Sequence, residues 1–490
     1  MQVLAAEPTI ESARAAFAAG RLAEAEATCL ALAQSEQPQA LHLLALIRFQ
    51  SGRRDEAVKL LQRAVRAAPG LAAAHNDLGA MLIALGRAYE AVATLRTAVD
   101  LVPDNAEARV NFANALHAQG ELEAAEEAYR AALHLDARHV RGNISLGNLL
   151  CQLRRPEEAL AFLASAATLE PVSAMAHQFL GNALRDAGRC DEAVASYRRA
   201  LELEPASAVA NENLGLLLMG QGRYEEAMLL LNAAGAHFAR ANALQCLLRL
   251  GRYDEFFADI ARHRDEAATN LHSASLSAYA AYHLGQRDPH PFCPGPLEQV
   301  RVVDRYVGPG ADAEFLRDLV AEASRVHAVW EPRGITTRKG YQTGGNIFDY
   351  GFPALARLHR EMCEEMCRYR DDLTATMTMV SRWPGTMRLR GWFVRLVTGG
   401  HQYFHNHPDG WLTGCLYLQM PKAAPAGEGA IEFGLESGGY PPLSDKPPPT
   451  VLHQPRAGQV AFFPSSLYHR TIPFSSAEER LCIAFDLLPG

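Results

Sequence analysis

Residues 173–206 read SAMAHQFLGNALRDAGRCDEAVASYRRALELEPA, and the pattern recurs. Aligned at a period of 34 residues, segments 71–104, 105–138, 139–172, 173–206 and 207–240 place Gly79, Ala113, Gly147, Gly181 and Gly215 in one column. A second column holds Gly86, Gly120, Arg154, Gly188 and Gly222. Two further columns are all alanine: Ala91, Ala125, Ala159, Ala193 and Ala227, then Ala98, Ala132, Ala166, Ala200 and Ala234. Pro103, Pro171 and Pro205 close three of the segments, and an earlier one, 37–70, fits through Ala45, Gly52, Ala57, Ala64 and Pro69. Small residues let two helices approach closely, glycine makes the turn between them, and proline cannot continue the second helix. The columns therefore predict stacked helix–turn–helix units. Weaker units around Gly20–Leu32 and Gly251–Ala261 are expected to cap the stack.

These columns resemble tetratricopeptide repeats, which share the period and the small positions. The resemblance implies an all-α superhelix whose first helices line a concave groove, here over residues 5–284. One column on that face reads Asn114, Asn148, Asn182. Asparagine offers both a donor and an acceptor, so the three are expected to hold an extended peptide backbone. A plain solvated groove face is the competing reading of the same column.

At 490 residues the chain is long enough for more than one domain. A formal charge of −8 argues against nucleic acid or an anionic membrane as an obligate partner. No apolar run is long enough to span a bilayer, and Met1 to Glu7 lacks the pattern of a secretory signal. The nine cysteines are scattered without a CxxC pair, which suits reduced thiols in the cytoplasm.

Residues 285–296, Gly285-Gln286-Arg287-Asp288-Pro289-His290-Pro291-Phe292-Cys293-Pro294-Gly295-Pro296, interrupt the helical pattern and read as a linker. Beyond it, 297–490 changes character. Helices are expected over Phe315–Val326 and Ala354–Tyr369, the second with Glu364, Glu365, Asp371 and Asp372 on a solvated face. Strand-like runs follow at Trp392–Val397, Thr413–Gln419, Ala430–Phe433, Thr450–Leu452, Gln459–Phe463 and Leu481–Phe485. Short strands separated by Gly/Pro turns, preceded by helices, predict an α+β domain built on a jelly roll.

Within that domain, residues 400–414 read GHQYFHNHPDGWLTG. On a strand His405 and His407 would face the same side and present two imidazole nitrogens to one point. His469 offers a third, and Arg480 follows on the next apolar run. Three neutral imidazoles suit a transition metal, and their spacing alone admits Fe, Zn, Mn or Cu. A guanidinium at Arg480 can clamp a carboxylate through two parallel hydrogen bonds. Tyr403 and Tyr417 could add hydroxyl donors beside it. Trp411 reads as core or pocket wall.

The pieces HNHPDGWLTG, GAIEFG, FFPSSLYHRTIPF and ERLCIAFD together resemble the 2-oxoglutarate/Fe(II)-dependent oxygenases that are often fused to tetratricopeptide repeats. The resemblance implies a double-stranded β-helix, Fe(II), and 2-oxoglutarate as cosubstrate, decarboxylated to succinate as a C–H bond is hydroxylated. It puts His405 and His469 on the family's metal histidines and Arg480 on its cosubstrate arginine. The wider superfamily carries Asp or Glu two residues after the first histidine, where this chain has His407. His405, His407 and His469 are the expected ligands, with Asp409 in reserve. The whole reads as a dioxygenase acting on a protein or peptide recruited by the repeat groove. The competing reading is an inactive oxygenase fold serving as a repeat scaffold for protein–protein interaction.

Overall fold

Helix–turn–helix units fill the N-terminal part of the computed structural model, which describes residues 9–267, 269–308, 312–332, 335–421, 425–436 and 439–489. The expected start of the solenoid at residue 5, and the segment Met1 to Glu7, lie outside the described residues. The chain divides into two units, Met1–Leu217 and Leu218–Gly490, so the division falls inside the helix Ala208–Gly220.

In the first unit the hairpins run from Ile10–Ala18 with Leu22–Ala33 to Ala174–Asp186 with Cys190–Leu203. The glycine columns do two different jobs. At Gly79 and Gly147 a Cβ would sit 2.2 Å from Leu95 Cγ and 2.4 Å from Leu163 Cγ, so these glycines set the contact between the paired helices. In the second column Gly86, Gly120 and Gly188 have φ of +73°, +87° and +77°. Arg154, the one exception in that column, is held at φ 61°, a left-handed conformation that disfavours a side chain. Second helices open on an Arg–Glu pair three residues apart, as in Arg87–Glu90 and Arg189–Glu192, which places a carboxylate in the first turn, where the helix dipole favours it.

The second unit is organised by ten strands: β1 (Arg301–Val303), β2 (Ala328–Trp330), β3 (Thr337–Thr343), β4 (Leu389–His405), β5 (Leu412–Gln419), β6 (Ile431–Gly434), β7 (Thr450–His453), β8 (Val460–Pro464), β9 (Tyr468–Thr471) and β10 (Arg480–Leu487). All their pairings are antiparallel, in the order β1-β8-β5-β10-β4-β9-β6-β7, with β3 beside β4 and β2 beside β3. The expected α+β jelly-roll architecture is what forms. The long strand β4 turns the corner. Its first half pairs with β10 as far as Leu396, and its end pairs with β9 at Gln402 and His405. Gly399 (φ +76°) and Gly400 make that change of direction, and a Cβ on Gly400 would lie 2.6 Å from the Val397 carbonyl oxygen.

Alternation along β10 separates two environments. Leu481, Ile483, Phe485 and Leu487 pack outward with Leu319 of the helix Ala313–Ala323 and with Leu355, Leu358 and Met362 of the helix Pro353–Asp371. Arg480, Cys482, Ala484 and Asp486 face inward, toward a lining that includes Val394, Tyr417, Phe433 and Phe463. Glu365, expected in solvent, is buried and paired with Arg305 and Arg368.

The compact C-terminal unit reaches further upstream than the expected boundary at 285–296. Phe256 and Ile260 of the presumptive cap pack with Leu276, Tyr440 and Leu443. Gln245 and Arg249 each donate to the Gly439 carbonyl at 2.9 Å, and the Tyr279 hydroxyl donates to Pro441 O at 2.8 Å. The proline-rich stretch is also tied down rather than free. Phe292 is fully buried against Trp411 (ring centroids 5.1 Å), and Pro291 O and Phe292 O accept from the amides of Thr378 and Met379. The helix Leu271–Leu284 ends on Gly285 at φ 65°, and an aromatic and a thiol among the prolines that follow enter the core. Trp411 itself is core, donating to Met379 O. Among the described residues no helix is long and apolar enough to cross a membrane.

Candidate metal centre

His405 is the last residue of β4 and stands directly opposite His469 on β9. His407 lies just past the strand end, where its amide is fixed by the Ser465 carbonyl at 2.9 Å. The two neighbours in sequence therefore reach one point from a strand and from a turn. Ring centroids are 4.3 Å apart for His405–His469, 5.0 Å for His407–His469 and 5.2 Å for His405–His407. One nitrogen from each lies within 4.8 Å of the others, an arrangement that could hold a metal ion. No carboxylate joins this cluster among the described residues.

Each imidazole is oriented differently. His405 Nδ1 donates to the Tyr403 carbonyl at 2.7 Å, leaving Nε2 for a metal. His407 Nδ1 lies 2.7 Å from Oδ1 of Asp486, which is 1 % exposed. His469 is buried against Phe463, with ring centroids 4.6 Å apart. Burial, reinforced by the neighbouring His407, pushes the His405 pKa down to about 4. Burial and then the charges of His405 and His407 hold His469 well below its usual range. Both rings are thus neutral and ready to ligate at neutral pH.

A narrow cavity of about 20 Å³, room for roughly one water, is lined by all three histidines and by Arg480. A wider pocket of about 520 Å³ opens outside it. Trp392, Gln402, His405 and His407 line both. Arg480 is 1 % exposed, yet among the described residues its guanidinium has two hydrogen bonds, from Nε to Gly429 O (3.2 Å) and from Nη1 to Cys482 Sγ (3.5 Å). No carboxylate pairs with it among the described residues; the acid beside it is the Cys482 thiol, whose pKa the Cys415 hydrogen bond and the guanidinium bring down to about 7. Tyr417 lies 5.2 Å beneath the guanidinium carbon, and its buried hydroxyl faces the Cys415 thiol without a full hydrogen bond.

Residues 390–486 match the family model described as "Putative 2OG-Fe(II) oxygenase". Repeat models match at 42–106, 110–174, 82–134 and 181–222. The chain therefore carries tetratricopeptide repeats and, over residues 390–486, a region that matches the putative 2OG-Fe(II) oxygenase model. No curated protein matches the chain. Solved structures similar to the repeats include YrrB, described as a TPR protein with an unusual peptide-binding site. It is 22 % identical, covers 37 % of this chain and 96 % of its own, and has a TM-score of 0.32. A thermophilic TPR protein of Thermus thermophilus has 24 % identity, coverage of 37 % and 99 %, and a TM-score of 0.34. A tetratricopeptide repeat protein of Parabacteroides merdae has 17 % identity, coverage of 46 % and 90 %, and a TM-score of 0.40.

The C-terminal unit brings His405, His407, His469, Arg480 and Tyr417 to one interior. It does not bring Tyr403 or Asp409. Register shifts between Gln402 and His405, so strict alternation fails there. Gln402 faces the cavity, while Tyr403 is 53 % exposed under the Arg338 guanidinium. Asp409 sits at the rim of the outer pocket with a 77 % exposed side chain, 3.8 Å from Arg390, and takes no part in the histidine cluster. Residues not singled out from sequence are Asp486, Thr413, Gln402 and Trp392. The signal for Asp486 was available as a lone acid on the inward row of an apolar strand.

In the repeats, Asn114, Asn148 and Asn182 are each half-buried. The Asn114 and Asn182 carbonyls accept from the hydroxyls of Tyr129 (2.6 Å) and Tyr197 (2.7 Å), and Asn182 also accepts from Asn213. Part of their hydrogen-bonding capacity is therefore spent within the solenoid. A second polar row, unnoticed in the sequence, runs from Asn76 through Asn111 to Arg141.

The depressed histidine pKa values have a signed consequence. Between pH 6.5 and about 4 the unfolded chain binds protons that native His405 refuses, so its contribution is complete above pH 6.5 and is lost as pH falls through that window. Denaturant midpoints of metal-free protein are expected to decline across it, and less steeply for His405→Leu. Identical slopes for the two proteins would contradict the assignment.

Proposed function

We propose that the C-terminal unit is an Fe(II)/2-oxoglutarate-dependent dioxygenase that hydroxylates a protein or peptide recruited through the repeat groove. The observation that carries this reading is Arg480. A cation taken out of water without a counter-ion is strongly destabilising, so a buried guanidinium facing a cavity calls for an anionic ligand. It shares that cavity with three imidazoles able to hold a metal. A dicarboxylic acid that meets the metal at one end and Arg480 at the other suits both features. Neutral imidazoles suit a first-row transition metal, the match to the putative 2OG-Fe(II) oxygenase model supports iron among these, and the unsatisfied Tyr417 hydroxyl beside the guanidinium offers a further donor to the anion. Room for the cosubstrate requires Trp392 and Gln402, shared by both cavities, to turn aside.

In this reading His405, His407 and His469 hold the metal, and Arg480 with Tyr417 anchors the distal carboxylate. Iron held there would let dioxygen act as the oxidant, taking two electrons from 2-oxoglutarate as it becomes succinate and CO2 and two from the C–H bond that is hydroxylated. Ile431 and Phe463 line the inner cavity and limit water there. Substrate reaches the site from the outer pocket, past Arg390 and Asp409. The asparagines Asn114, Asn148 and Asn182, with the Asn76–Asn111–Arg141 row, offer a polar track for an extended peptide. The scaffold alternative has no buried anion requirement, and Arg480 weighs against it.

The test is addition of 2-oxoglutarate to anaerobic Fe(II)-loaded protein. A visible metal-to-ligand charge-transfer band is expected, and His469→Ala should abolish it. Absence of the band, with no retained metal in the wild type, would leave the scaffold reading.

A further inference from the structure

The cluster poses a charge problem. Three neutral imidazoles leave a divalent cation uncompensated, and the position where the wider superfamily has a ligating acid is His407. The nearest answer is one shell out. Asp486, at the end of the inward row of β10, is fully buried, and its Oδ1 lies 2.7 Å from His407 Nδ1. The same oxygen accepts from the Thr413 hydroxyl at 2.9 Å, and Ser465 supports Thr413 at 2.8 Å. Because Thr413 donates to the carboxylate, its oxygen is the acceptor for Ser465. The other carboxylate oxygen is buried without a hydrogen bond, its ionic neighbour being Arg390 Nη2 at 3.6 Å.

We infer that Asp486 is a positioning residue that stands in for the missing ligating carboxylate. It fixes His407 as the Nδ1–H tautomer, turns Nε2 into the cluster, and supplies negative charge to the metal through the imidazole. Buried carboxylates in this relation to a ligating histidine raise ligand basicity, and their loss typically costs about 10–100-fold in metal affinity. Thr413 and Ser465 fix the carboxylate in turn. The inward row of β10 then carries an anion clamp at Arg480 and a cation-compensating charge at Asp486. This inference rests on the reading of the three histidines as a metal site.

Two measurements on the full-length chain test it. In metal-free wild type labelled with ¹⁵N-histidine, long-range ¹H–¹⁵N spectra at pH 7.5 should show the His407 proton on Nδ1. A proton on Nε2 would overturn the proposal without any variant having to fold. Co(II) titration followed by its ligand-field absorption should show about a 10–100-fold weaker site in Asp486→Asn, with an altered band shape. Equal affinity and an unchanged spectrum in a variant that melts cooperatively would also overturn it. Wild type that takes up no Co(II) would instead remove the metal reading beneath it. Wild type that binds Co(II), loses affinity in Asp486→Asn and yet ignores 2-oxoglutarate would uphold this inference while the dioxygenase reading fails.

Discussion

Arg480→Met is expected to abolish 2-oxoglutarate binding while leaving the metal site intact and the ligand-free protein at least as stable as wild type. The two effects have one cause. Arg480 is nearly completely buried, and its hydrogen bonds go to one carbonyl and one thiol. Leaving an ion buried without its partner costs about 3–5 kcal/mol, so removing the guanidinium should weaken cosubstrate binding by roughly 10²–10⁴-fold. In the ligand-free protein the same substitution replaces an unpaired cation with an apolar chain of similar length. Exchanges of buried ionic groups for well-packed apolar ones are often neutral or stabilising by about 1–4 kcal/mol. Thermal melts without ligand, Co(II) titration and 2-oxoglutarate titration read the three quantities separately. A variant that melts much lower than wild type would make Arg480 a structural residue. One that still binds 2-oxoglutarate with wild-type affinity would remove it from the cosubstrate site.

How far the sequence carried the reading differs from element to element. The repeats were legible because their small-residue columns report backbone contact directly, as at Gly79 against Leu95. Strands β5, β6, β7 and β8 were read to within one residue and β10 to within two, because alternation or an apolar run marks them. Strand β9 was not: Tyr468-His469-Arg470-Thr471 has no apolar pattern, and its place is set by pairing with β4 and β6. That the three histidines and Arg480 would meet was legible from residue type and order, and they line one cavity. Tyr403 failed as a site residue through a local event, the register shift after Gln402, which no period-2 argument contains. Asp486 was missed because its role depends on His407, 79 residues away in sequence. The extent of the C-terminal unit was hidden for a related reason. The helix Leu271–Leu284 is buried nearly all round, and one sequence does not say which element covers each face.

That helix leads to the second large effect: a fragment of residues 297–490 should fail to fold, whereas 218–490 should fold and bind Co(II) like the full chain. The shorter fragment loses Phe292 and Cys293 from the main core, together with Leu271 and Ala274. It also loses Ala278 and Tyr279 from the interior that surrounds Phe433 and Phe463. Removing one buried aromatic side chain typically costs about 3–5 kcal/mol, and a whole domain has only about 5–15 kcal/mol in hand. Two aromatics and a buried helix exceed that margin. The site suffers directly as well. Asn406, the residue between His405 and His407, donates to Ser275 Oγ at 2.9 Å, and Ser275 in turn donates to the Ser466 carbonyl beside the segment leading to His469. Without the helix, both arms of the histidine cluster lose a support. Circular dichroism melts and Co(II) titrations of the two fragments decide the matter. A cooperative melt of 297–490 with Co(II) affinity near that of the full chain would show that the helix Leu271–Leu284 is dispensable to the oxygenase fold. The expected result makes it instead the part of the helical region through which the histidine cluster is held in place.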